Sequence, residues 1–169
     1  MAIVAGDIDF FLSGGASNTD PTAAHGGARS TTTQVSGSIH GLFDLISSAE
    51  ALAGDTEYRC LYVYNAHATL TLQNTVIWIS SDASGADTDI AIALGGEGVN
   101  GTAETVANES TAPVGESFST PVSAGAGLAI GDIPPLEHYP IWVRRTVNSS
   151  SSAATGLSVT LSVQGDTAA

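Results

Sequence analysis

The chain contains no lysine. Its basic side chains are Arg29, Arg59, Arg144 and Arg145, set against 17 acidic residues, for a formal net charge of −13. A surface of this sign repels phosphate backbones, which argues against direct nucleic-acid binding. It also disfavours anionic membranes. A basic partner surface, bound cations or plain solubility would each be compatible with it. Cysteine occurs once, at Cys60, so no intrachain disulfide can form. No apolar run is long enough to span a bilayer. The first residues also lack a basic segment followed by an apolar core, so the expectation is synthesis and assembly in the cytoplasm. Aromatics make up only 6% of the chain and are sparse in the loops, whereas a lectin-like module would be expected to cluster them there.

What is present is small and uncharged. The 169 residues are 43% hydrophobic and only 12% charged, with Gly, Ala, Ser and Thr dominant. That length suits one domain able to bury a core without disulfides or metal. A smooth surface of short side chains loses little entropy when covered, which suits a subunit packed among neighbours.

Strand signals dominate. Residues 57–65 and 69–80 are rich in β-branched and aromatic residues, alternate apolar with polar, and are joined by a short Asn-Ala-His-Ala connection. They are expected to form two antiparallel strands, each burying one face. Residues 89–94 form another, with Ile90, Ile92 and Leu94 facing one way. Residues 31–36 alternate weakly, as an edge strand would. Residues 104–107 and 116–118 are candidate short strands within a loose stretch, and 128–133 lead to Pro134 and Pro135, which stop a central strand. A last hairpin is expected between residues 139–147 and 156–163 across a Ser/Ala-rich loop. One helical turn is expected within residues 42–53, with Ser47 or Ser48 as cap, Glu50 in the first turn and Gly54 past the end. The fold class is therefore all-β: an antiparallel immunoglobulin-like sandwich of seven or eight strands. Residues 1–30 read as an N-terminal segment and loop, and residues 31–169 as the sandwich, within one domain. Ile8, Phe10, Phe11 and Leu12 are either a first strand or an arm that docks on another molecule.

Chemistry-bearing motifs are weak. Residues 96–101 match GxGxxG after a strand, but no helix with an apolar stripe follows to receive a pyrophosphate, so the segment reads as a surface loop. Asp82, Asp87 and Asp89 lack the spacing of a calcium loop and read as solvated. The four histidines show no zinc spacing, and no nucleophile elbow occurs. Cys60 alternates with Tyr58, Tyr62 and Tyr64 and reads as a buried thiol, with Arg59 on the opposite face. No catalytic residue, cofactor site or metal site is assigned. Trp142 and Arg144 share one face of their strand, with Arg145 on the other. Two readings stay open for them: an outward contact surface, since Trp and Arg are enriched in hot spots, or a tryptophan under a loop beside arginines paired with carboxylates.

Four segments carry a resemblance: DFFLSGGASNTDP (9–21), GDTEYRCLYVYN (54–65), GDIP (131–134) and IWVRRTV (141–147). Together they resemble a family of small virion structural proteins of tailed bacteriophages, over most of the chain. The resemblance implies a particle component, located in the virion and without an enzymatic role or cofactor. Its partners would be the major capsid protein or other virion subunits, and further copies of itself in a homo-oligomer. A head decoration, or cement, protein is the favoured position, with Ile8, Phe10, Phe11, Leu12, Trp142, Arg144 and Arg145 as candidate contacts. A neck, tail or baseplate subunit is the runner-up, and a carbohydrate- or receptor-binding sandwich is the alternative of another class.

Overall fold

A computed structural model describes residues 2–152 and 156–167; residues 153–155 of the expected Ser/Ala-rich loop lie outside them. The chain forms the antiparallel immunoglobulin-like β-sandwich that the strand spacing predicts, two sheets facing across one core. One sheet holds β1 (Ile8–Leu12), β3 (Asp55–Asn65), β8 (His138–Val147) and β5 (Thr88–Leu94), in the order β1-β3-β8-β5. The facing sheet holds β7 (Leu128–Ile133), β4 (Leu72–Ala83) and β9 (Ser158–Thr167), in the order β7-β4-β9. A small ribbon of β2 (Gly26–Gly27) and β6 (Ala103–Thr105) adds a third layer. Among the described residues, no helix is long and apolar enough to cross a membrane.

Two expected pairings are corrected. β3 and β4 do not pair with each other, and neither do β8 and β9; each couple is split between the facing sheets. The chain therefore arches from one layer to the other at these connections. At the first arch the buried Asn65 takes over the role of a hairpin ladder. Its amide nitrogen donates to the carbonyls of Leu70 (2.8 Å), Ile133 (2.9 Å) and Pro134 (3.2 Å), while its oxygen accepts from the His67 amide (3.0 Å). One side chain thus holds the end of β3, the start of β4 and the end of β7 together.

The core between the sheets follows the strand alternation. Leu61 and Val63 of β3, Ile141 and Val143 of β8, and Ile90 and Ile92 of β5 meet Leu72, Ile77 and Ile79 of β4 and Ile130 and Ile133 of β7. The other face of the four-stranded sheet is covered as well. Cys60, Tyr62, Ala93 and Trp142 are fully buried there against Ala103 and Val106, with Phe11, Tyr58 and Phe118 at the margin. Burial on both faces makes the middle of β3 and β8 nearly continuous in apolar character. The expectation that β3 buries one face is corrected accordingly.

The ribbon sits close because Gly26 permits it. Its φ is +85°, and a Cβ there would lie 1.7 Å from the Glu104 carbonyl oxygen and 3.1 Å from the Trp142 ring. The Tyr62 hydroxyl fastens the ribbon by donating to the Gly27 carbonyl (2.6 Å) and accepting from the Ala103 amide (2.8 Å).

The helix forms where its caps predict, as α1 (Ser48–Ala53): the Ser47 hydroxyl accepts from the Glu50 amide, the Glu50 carboxylate accepts from the Ser47 amide, and Gly54 ends the turn at φ +79°. The expected strand at 31–36 is not a strand. Residues 30–34 run along the free side of β1 with backbone bonds to Phe10 and Leu12 and one isolated bridge at Thr33. The short strand near 104–107 is β6, one residue earlier, whereas 116–118 form none and only Ser119 bridges to Ile92.

Candidate functional site

Alternation along β3 carries Glu57 and Arg59 onto the same face as Leu61 and Val63, toward the facing sheet, and Arg145 follows Ile141 and Val143 in β8. Glu57 and Arg145 are directly opposite across the β3–β8 ladder. The apolar core thus ends in charge at one end of the sandwich. Arg59 is 0% exposed, Glu57 2% and Arg145 9%.

Two loops close over these residues. Asp44, from the segment before α1, accepts from Arg145 through its carbonyl (2.8 Å) and its carboxylate (3.4 Å). The Arg59 guanidinium meets the carboxylates of Glu109 (2.6 Å), Glu57 (3.5 Å) and Asp44 (3.8 Å). The Arg145 Nε donates to Glu57 Oε2 at 2.5 Å, and its terminal nitrogen also contacts that oxygen. Phe43 lies against both guanidiniums, with its ring centre 4.8 Å from Arg145 Cζ and 5.5 Å from Arg59 Cζ.

Three carboxylates and two guanidiniums carry a formal charge of −1. Burial pushes the Glu57 carboxyl up to about 7, against the pull of the Arg145 and Arg59 charges. A hydrogen bond shared with Asp44 acts in the same direction as burial. With its proton on, the cluster becomes neutral. Oxygens of Asp44, Glu57 and Glu109 lie within 4.8 Å of one another, the gathering a divalent cation would use. The two guanidiniums occupy that centre instead, and the one oxygen that each of the three carboxylates brings there falls short of the six or more that calcium takes. The arrangement is a clasp that ties the loops bearing Asp44 and Glu109 to the central strands.

The predicted contact residues are dispersed. Ile8, Phe10, Phe11 and Leu12 form β1, paired with β3 from Ile8↔Asn65 to Leu12↔Leu61, so the segment is a strand of the sheet. Leu12 is buried; Ile8 and Phe10 pack against the main core, and Phe11 packs on the outer side of the sheet against Tyr64 and Arg29. Trp142 does not face outward, because the ribbon and its loops cover it, and it is 0% exposed. Arg144 is half-buried with its guanidinium 5.3 Å from the Phe118 ring centre, and Arg145 is committed to the clasp. The reading of arginines paired with carboxylates describes Arg145, and Trp142 lies under the ribbon. No sequence motif groups Glu57, Arg59, Asp44 and Glu109. The available signal was Glu57 and Arg59 continuing the inward phase of Leu61 and Val63. Cys60 is buried as expected, with its thiol pushed up by burial and Arg59 on the opposite face.

No family model matches the chain, and no curated protein or solved structure is significantly similar to it.

Proposed function

We propose that this chain is a non-enzymatic structural subunit of a tailed-bacteriophage particle, placed on the outside of the head as a decoration protein. The observation that carries the reading is the resemblance of the segments at 9–21, 54–65, 131–134 and 141–147. Their placement supports it: three of the four supply β1, β3 and β8, which are neighbours in one sheet. Those three segments therefore lie in the spine of the sandwich. A net charge of −13 favours the outer surface of a shell over the inner one, where packaged nucleic acid of the same sign would repel it.

Quantitative mass spectrometry of purified particles encoded with this chain tests the reading. A copy number comparable to that of the major capsid protein supports a head decoration role. A few copies per particle would move the subunit to the neck, tail or baseplate. Absence from particles would refute the proposal.

A further inference from the structure

Sheet edges are where a β-sandwich can still form backbone hydrogen bonds, and they differ here. The free side of β1 is lined by residues 30–34, and β5 is bridged at Ile92 by Ser119. β7 is six residues long, carries Asp132 and pairs irregularly with β4. β9 is ten residues long, and each of its residues 158–164 has a partner on β4, with one register shift on the β4 side between Ile79 and Ser81. Among the described residues, none of its backbone groups has a backbone partner on the side away from β4.

That edge lacks two of the usual protections, charge and proline. Residues 157–165 contain no charge and no proline, in a chain with 17 acidic side chains. Side chains on its core face are also incompletely covered. Val159, Leu161 and Val163 are half-buried, while Ile77 and Ile79 beside them on β4 are 0% and 3% exposed. The core reaches β9 and stops with one flank open.

We propose that this edge is a homodimer seam, in which β9 adds antiparallel to β9 of a second copy about a two-fold axis at Leu161. Two features select that occupant and register. Only registers pairing odd residues with odd keep both apolar sets on the core side. Centring on Leu161 aligns the whole uncharged run 157–165 with itself. Leu161 then faces its counterpart, Val159 meets Val163 and Thr160 meets Ser162. Asp166 falls opposite Gly156, clear of its own counterpart. The self-match is a property of the strand, so an identical copy satisfies it on both sides of the axis. At about 3.4 Å per residue the seam is about 30 Å long. One shared strand lies at the small end of stable interfaces, so the dimer forms in a concentration-dependent way. The seam contains no ion pair while the two copies repel through their net charge, so added salt strengthens it.

This inference is independent of the particle assignment. The test is sedimentation velocity of the whole chain from low-micromolar to submillimolar concentration, in low and high NaCl. Wild type should shift from monomer to dimer, more readily in high salt. Thr160→Lys with Ser162→Lys places like charges opposite each other twice and should weaken the dimer at least about tenfold. Thr160→Lys with Ser162→Glu places opposite charges at the same positions and should retain it. Hydrogen exchange of wild type provides a check that needs no variant: amides of residues 158–165 should gain protection as concentration rises. A wild-type chain monomeric throughout, equal behaviour of the two double variants, or concentration-independent exchange at 158–165 would each overturn the proposal.

Discussion

Replacing Glu57 by Gln tests whether desolvation or ion pairing governs the buried clasp. Glu57 is 2% exposed, and its carboxyl is raised from 4.5 to about 7. That gap corresponds to roughly 3 kcal/mol, at about 1.4 kcal/mol for each pKa unit. The folded state holds this proton more tightly than the unfolded chain does. Its contribution to stability is therefore fully present below pH 4.5 and is lost as pH rises through about 7. Glutamine imitates the protonated acid: its oxygen can keep accepting from Arg145, and its amide can donate toward Asp44, leaving Asp44 and Glu109 to balance Arg59 and Arg145. The variant should match wild type near pH 4.5 and exceed it at pH 8 by up to roughly 3 kcal/mol, or about 6–12 °C in Tm for a chain of this size. Urea unfolding followed through tryptophan fluorescence across this range measures the difference, and comparing variant with wild type cancels the other acidic groups. A variant less stable by several kcal/mol at every pH would refute the reasoning, because ionised Glu57 would then be a necessary partner of the arginines.

Three further outcomes follow from the layer over Trp142 and Tyr62. Gly26→Ala forces a Cβ onto the Glu104 carbonyl at positive φ and should destabilise by about 3 kcal/mol or more in the same unfolding assay. Tyr62→Phe leaves the Gly27 carbonyl and the Ala103 amide without their shared partner; a loss of about 1–3 kcal/mol is expected, with faster hydrogen exchange at Ala103. Cys60 should resist a thiol-specific chromogenic reagent in the folded protein and react stoichiometrically in denaturant; prompt reaction in the native state would contradict its burial.

Local signals in the sequence translated well. Ser47, Glu50 and Gly54 name their own positions at the ends of a helix, because capping is decided by residues a few places apart. The apolar alternation of β3, β5 and β9 likewise located those strands. The division of strands between sheets was not legible, since a short connection serves a hairpin and an arch equally. What distinguishes them here is Asn65, whose bonds reach to residues 133 and 134 and have no local trace. Alternation also leaves Trp142 undecided. It separates two faces without saying whether the second one is wet, and a two-residue strand with a three-residue partner leaves little periodicity to announce a third layer. The clasp stayed hidden for a related reason: Glu57, Arg59 and Arg145 are polar residues in inward phase, and their partners at positions 44 and 109 are distant in sequence.

Asn65 also sets a limit on how this protein can age. Three carbonyl oxygens converge on one amide nitrogen. Hydrolysis of that amide to a carboxylate would replace the donor by a fourth acceptor at the point where the chain changes layers. The lesion is a change of one atom, yet it would set electron-rich groups against each other at a junction of three strands. The intact fold shields the amide from the water that would convert it, so the integrity of this arch and the chemical lifetime of its fastener depend on each other.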